Sequence, residues 1–354
     1  MGKRIQSLDG LRGVCIGLVL FGHVRGTAGF PLHGESVRLG RLGVVTFFVL
    51  SGYLITRLLL EERTRTGGVA LGAFFRRRAL RLFPALYAFV AVVLLLEVVG
   101  AVQLGGGDVL ATATHTMNFH ARRAWWLGHT WSLSFQEQFY LLWAPALAVL
   151  GAAGGRRVAL GAFAAAPLLR VAVFYGWPEQ RALVDQAFPL IFDGPATGCL
   201  LAFLREDLWR DARYRRLLES PFFAAVPLIV LVTHLYRPSV GVSLLVGQTV
   251  INVAIAACVD WAMRFPESRV GRALNSPPLT WVGTISYSLY LWQQLFLARD
   301  HPAWFTTFPL NLLLAFAAAT ASYHLTERPF VRLRARRSTS PPLLAGTPPA
   351  TERT

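Results

Sequence analysis

Charge is what this 354-residue sequence has least of: Asp, Glu, Lys and Arg make up 15% of it, and Lys3 is its single lysine. Soluble domains carry about 25% charged residues. The deficit argues against a chain dissolved in water, and 54% hydrophobic residues with a mean hydropathy of +0.46 supply long apolar runs instead. Cysteine is scarce too. Cys15, Cys199 and Cys258 stand singly in apolar stretches with no Cys-x-x-Cys pair, so neither a disulfide framework nor a thiolate zinc site is indicated. They read as small buried hydrophobes. HExxH, GxSxG and Walker patterns are missing, which removes the motif support for metalloprotease, serine hydrolase and P-loop chemistry. RNP aromatics, zinc knuckles and helix-turn-helix patterns are missing as well. The net charge of +16 is therefore no sign of nucleic acid as a partner.

What remains is a chain for a lipid bilayer, which needs roughly 20 apolar residues per helical span. Ten candidate spans follow: 11–30, 42–60, 82–104, 128–150, 158–176, 187–204, 221–236, 241–261, 279–298 and 306–325. The first could be mistaken for a signal peptide, but Asp9 and Arg12 interrupt it and no small-residue cleavage site follows, so it reads as a retained helix. Arginine sets the orientation. The termini and the even-parity loops hold 24 of the 35 basic residues, which predicts an all-α integral membrane protein with both termini cytoplasmic. Residues 1–332 form the membrane domain. From 333 onward the chain is basic and then rich in Pro, Ser and Thr, as in "STSPPLLAGTPPATERT", and is expected to be a disordered tail.

Ionisable groups within spans are costly and so mark function. Arg12 and His23 lie eleven residues apart. On an α-helix they share a face about 16 Å apart, with Arg12 near the cytoplasmic surface and His23 near mid-bilayer. An anion clamp and a general base along one line would suit acyl-coenzyme A, whose phosphates lead through a pantetheine arm to a thioester. The same pair also reads as a snorkelling flank and a hydrogen-bonded packing residue. In "FFRRRALRLFPALY" (74–87), Arg78 and Arg81 share a helix face and read equally as topology markers or as a phosphate clamp. In "HTWSLSFQEQFYLLW" (129–143), Glu137 enters a span from the far side and shares a face with Tyr140. It could orient the His23 imidazole, bind a sugar hydroxyl or carry protons. Ser51 in "FFVLSGYLIT" and Asp193 in "FDGPATGCLLA" are weaker polar points, and Glu97 lies deep in the third span without an assignment. His115, His120, His129, His234 and His301 fall at span ends or in loops and read as solvated.

Taken in order, "LDGLRG", the Arg-x10-His pair, "FFVLSGYLIT", "RRRALRLFPALY", "HTWSLSFQEQFYLLW", "ISYSLYLW" and "TERP" resemble the membrane-bound acyltransferase 3 family over residues 5–332. The resemblance implies ten core helices and transfer of an acyl group, usually acetyl, from acyl-CoA to a hydroxyl of a carbohydrate or glycosylated acceptor. By motif match it implies roles for Arg12 and His23, for Arg78 and Arg81, for Glu137, and for Ser286 and Tyr287. Asp9, Ser51, Tyr140 and Asp193 are expected to bind substrate or support the site. Family members often have His after "SYSLYLW"; Gln293 stands there in this sequence, which gives His23 more weight. Many relatives carry a fused esterase-like domain that is not seen in this sequence, so a relayed transfer would call for a separate partner.

The expectation is a multi-pass O-acyltransferase of the cell membrane that uses acyl-CoA, with acetyl-CoA as the donor. His23 is the base, Arg12, Arg78 and Arg81 hold the donor phosphates, and Glu137 orients the imidazole or the acceptor. No metal is expected, because attack on a thioester needs a base and oxyanion stabilisation rather than an activated water. The alternative is a transporter or flippase of an anionic or sugar-linked lipid, since buried Arg, His and Glu also make proton relays.

Overall fold

The computed structural model describes residues 5–32, 37–236 and 240–330. The tail expected from 333 onward lies outside the described residues. Among the described residues the regular structure is entirely helical. The chain runs through α1 (Gln6–Val24), α2 (Val37–Thr66) and α3 (Leu71–Val98). The segment 99–130 then folds back against the bundle through the short helices α4 (Asp108–Ala113) and α5 (Trp125–Gly128). Asp108 fixes that fold-back. It is fully buried, accepts from the Gly105 and Ala124 amides at 2.8 and 3.0 Å, and pairs with His120 at 3.0 Å.

The helix that follows, α6 (Trp131–Gly176), would be about 69 Å long if straight, more than twice a hydrocarbon core. It breaks at Gly151 (φ 67°, ψ −171°), where the chain turns back so that Ala159 packs with Ala144 and Leu147. Arg63 of α2 braces the turn by donating to the Ala148 carbonyl at 2.9 Å. The two limbs correspond to the expected spans 128–150 and 158–176.

Beyond it lie α7 (Asp193–Arg210), α8 (Ala212–Glu219) and α9 (Ala225–Leu235). The stretch α10 (Val240–Val242) continues through a π-helical turn, Ser243–Gly247, into α11 (Gln248–Arg264). Then come α12 (Arg269–Leu274), α13 (Pro277–Thr284), α14 (Ser286–Phe296) and α15 (Leu310–Ser322), closed by a π-helical turn, Tyr323–Glu327. Among the described residues, five helical segments are long and apolar enough to cross a membrane: Gln6–Val24, Arg38–Thr66, Leu71–Val98, Trp125–Gly176 and Ser243–Arg264. A bent pair, Ala212–Glu219 with Pro221–Leu235 at 68°, would make a sixth. The expected span 279–298 is broken at Ile285 into α13 and α14. The expected span at 187–204 becomes α-helical only at Asp193.

Glycines in and beside the quoted motifs explain how the helices meet. A Cβ on Gly283 of α13 would lie 1.8 Å from the Asp9 carbonyl oxygen, so α1 and α13 touch backbone to backbone across "LDGLRG". Gly52 of α2 and Gly198 of α7 do the same, each within 2.0 Å of a facing carbonyl oxygen. Without a water-driven hydrophobic force between helices, such close backbone contact is a main source of cohesion in lipid. It settles the role of the "LSG" step: α2 runs unbroken through Ser51 and Gly52.

Candidate active site

The site is built on α1, α3, the first limb of α6, and α14. Arg12 sits two turns into α1. It donates to Ser286 Oγ at 3.0 Å and pairs with Asp9 at 3.6 Å. Ser286 opens α14, and the next residue, Tyr287, donates its hydroxyl to the Leu82 carbonyl of α3 at 3.0 Å. Those two bonds bring the Arg-x10-His helix, the Arg-x-x-Arg helix and the Ser-Tyr pair to one place. Glu327, only 3% exposed, joins them by accepting from Ser288. It lies within electrostatic reach of Arg12 and Arg81. Arg81 itself is exposed and makes no hydrogen bond or ion pair among the described residues.

Arg78 is placed differently from its partner in the motif. Its Nε lies 3.0 and 3.1 Å from the two Glu137 carboxylate oxygens, and its NH2 donates to Glu137 Oε1 at 2.8 Å. The guanidinium carbon stands 3.3 Å from the centre of the Tyr140 ring, a cation–π stack. Gln136 completes the layer by donating to Ser51 Oγ at 2.7 Å and to the Tyr140 hydroxyl at 2.5 Å. Glu137 is thus the counter-ion of Arg78, and no hydrogen bond joins it to His23.

His23 is oriented by its own helix. Its Nδ1 lies 3.0 Å from the Val19 carbonyl. A carbonyl oxygen only accepts, so Nδ1 carries the hydrogen and Nε2 keeps the basic lone pair. The ring meets Trp125 of α5 edge-on at 5.6 Å, and α5 is tied to α14 by Trp125 Nε1 donating to the Gln294 carbonyl at 2.9 Å.

Asp193 does not join this assembly. Its carboxylate accepts from Arg170 at 2.7 and 3.0 Å and from Thr249 at 2.7 Å, with Arg170 and Asp193 both almost fully buried. Arg170 further donates to the Leu190 and Leu244 carbonyls, so the pair staples the second limb of α6 to α7 and the π turn. Glu97 is not deep in a span. It occupies the last turn of α3 and accepts from the Leu104 amide at 3.3 Å.

Three histidines that read as solvated are enclosed or partly enclosed. His234 is fully buried, with Nε2 2.8 Å from the Arg38 carbonyl, and His129 is 6% exposed. His115, at φ 54°, stacks on Phe83 at 5.4 Å within electrostatic reach of Arg78 and Glu137. Burial pulls its pKa below the ordinary histidine value; Glu137 opposes that shift and Arg78 adds to it. Of the others, His120 pairs with Asp108 and His301 is exposed. Reading by residue type also passed over Gln136 and Glu327. Both lay inside quoted motifs, "SFQEQF" and "TERP", so motif membership was the signal that could have found them.

Comparison with known proteins shows the family. The acyltransferase domain family (Acyl_transf_3) matches residues 5–326. The chain is 27% identical to "Peptidoglycan O-acetyltransferase OatA" of Listeria monocytogenes over 364 residues, covering 93% of this chain and 55% of that protein. It is 27% identical to "Putative peptidoglycan O-acetyltransferase YrhL" of Bacillus subtilis over 385 residues, covering 96% of this chain and 56% of that protein. The chain therefore spans about half the length of the curated relatives it matches. No solved structure matches it.

Proposed function

This chain belongs to the acyltransferase domain family, and on that premise we propose that it is a multi-pass O-acyltransferase of the bacterial cell membrane. It transfers an acyl group, acetyl in the simplest case, from acyl-CoA to a hydroxyl of a cell-envelope carbohydrate. The names of the two peptidoglycan O-acetyltransferase relatives support a glycan acceptor. Ten passes with cytoplasmic termini belong to the same reading, supported by the arginine bias and by the two limbs of α6. Membership of an acyltransferase family does not favour the transporter alternative.

The single observation that carries the mechanism is the line along α1 from Arg12 to the free Nε2 of His23. Arg81, which makes no ion pair at contact distance among the described residues, and Arg12, which is held by Ser286 and a long pair to Asp9, take the donor phosphates, with Glu327 within electrostatic reach of both. Arg78 is already neutralised by Glu137, so this layer shapes the wall of the donor channel rather than clamping phosphate. The pantetheine arm runs inward beside α1. His23 Nε2 takes the acceptor hydroxyl proton as the oxygen attacks the thioester carbonyl, then returns a proton to the departing CoA thiolate.

Purified protein in nanodiscs, titrated with acetyl-CoA, tests the reading. Wild type is expected to bind saturably. Arg81→Ala should weaken binding about tenfold, the order expected for one partly exposed charge-assisted bond. His23→Ala should bind normally and transfer nothing. Normal turnover by His23→Ala, or no binding by folded wild type at millimolar acetyl-CoA, refutes it.

A further inference from the structure

His129 has no place in the mechanism so far, yet it is buried beside the elements that carry His23. It is 6% exposed, and neither ring nitrogen meets a partner at hydrogen-bond geometry, although the Leu291 carbonyl lies near the ring. Buried side-chain polar atoms nearly always have a partner, so a ring with two free nitrogens needs an explanation.

The position of the ring supplies one. His129 follows α5 in helical conformation (φ −64°, ψ −20°), which puts it on the same face as Trp125, four residues earlier. Trp125 is the residue that meets the His23 ring edge-on at 5.6 Å. His129 therefore lies on the side of α5 that faces His23, and the two imidazoles are within electrostatic reach of one another. Its backbone is firmly placed: the Tyr290 hydroxyl donates to the His129 carbonyl at 2.8 Å and lies 2.7 Å from Ser132 Oγ. The ring itself rests between Tyr290 and Phe89, at 5.3 and 5.6 Å.

Two other buried polar groups lie near by and fit less well. Gln293 directs its amide nitrogen to Gln294, and its atom without a partner is the oxygen, an acceptor. Trp292 Nε1 is a free donor, but two residues along α14 from Tyr290 place it on the opposite side of that helix. A neutral imidazole always carries one N–H donor.

We infer that His129 is the oxyanion donor of the transfer. This rests on the acyl-CoA reading above. As the acceptor oxygen bonds to the thioester carbon, the carbonyl electron pair moves to oxygen, the hydroxyl proton goes to His23 Nε2, and the His129 N–H donates to the new oxyanion. Collapse restores the carbonyl, breaks the carbon–sulfur bond, and the thiolate leaves with the proton held by His23. One histidine takes the proton and the other holds the charge.

The test compares wild type, His129→Gln and His129→Phe in nanodiscs. It follows CoA thiol release and radiolabel transfer from acetyl-CoA to a soluble peptidoglycan oligosaccharide, with acetyl-CoA binding measured alongside. Loss of one oxyanion donor costs about 10²–10³ in kcat. His129→Phe should fall that far with an unchanged Kd for acetyl-CoA. His129→Gln, which keeps an N–H donor, should recover at least a tenth of wild-type kcat with an unchanged pH profile. Two outcomes overturn the inference while leaving the acyltransferase reading intact. One is His129→Phe within threefold of wild type. The other is a His129→Gln variant that binds acetyl-CoA but is as inactive as His129→Phe, with a limb missing from its pH profile, which would make His129 a base. Wild type that neither binds acetyl-CoA nor releases thiol overturns the parent reading itself.

Discussion

Replacing Glu137 by alanine should destabilise the protein by leaving Arg78 charged and unpaired. The two side chains are 15% and 12% exposed and meet through contacts of 2.8, 3.0 and 3.1 Å. Two unit charges about 4 Å apart attract by ~4 kcal/mol at an effective dielectric constant of about 20. Removing one partner of a buried pair costs about 3–5 kcal/mol. Some water reaches this pair, and the Tyr140 ring still stacks on the guanidinium, so the expected loss is about 2–4 kcal/mol. The comparison is the double variant Arg78→Met/Glu137→Leu. It removes both charges, and such replacements are often neutral or stabilising. Thermal unfolding in one fixed detergent, followed by tryptophan fluorescence, reads the difference. Domains of 150–250 residues lose about 2–4 °C per kcal/mol, so Glu137→Ala should melt roughly 4–16 °C below wild type and the double variant should regain at least half of that. Melting of Glu137→Ala within 1 °C of wild type, or no recovery in the double variant, would refute the view that this pair is a mutual neutralisation.

Asp193→Ala should be worse, because it strands the Arg170 cation, which is 1% exposed, at a cost of about 3–5 kcal/mol. Whatever fraction folds should bind acetyl-CoA with wild-type affinity; a weaker Kd with normal melting would place Asp193 in the donor site instead of the scaffold. His115 governs a pH effect. Burial lowers its folded-state pKa, so the unfolded ring protonates first and stability falls as pH drops through about 6.5. His115→Gln should flatten the loss of melting temperature between pH 7 and pH 5, and an equal slope in both proteins would assign that loss to other groups.

Much of this molecule was legible in the sequence because lipid leaves few choices. Apolar runs in a bilayer must satisfy their own backbone hydrogen bonds, so composition alone pointed to helices. A face shared by Arg12 and His23 follows from helical periodicity within one element, and the structure keeps both on α1. Glycines in "LDGLRG" and "LSGYL" stood out as motif positions, though only the packed helices showed which backbones they admit.

Partner choice was beyond the sequence. Arg78 and Arg81 share a face three residues apart, yet one is neutralised by Glu137, 59 residues away along the chain, while the other makes no ion pair at contact distance among the described residues. Asp193 resembled a site residue until Arg170 was found to claim it. The histidines at span ends read as solvated because hydropathy assigns each residue a depth along its own segment. It cannot register a loop folding back among helices, as 99–130 does when it sets Trp125 against His23 and encloses His129. Helix type and face are local properties set by a few neighbouring residues. The pairing of a buried charge, or the company of an imidazole, depends on contacts between segments far apart in sequence, which only the tertiary structure decides.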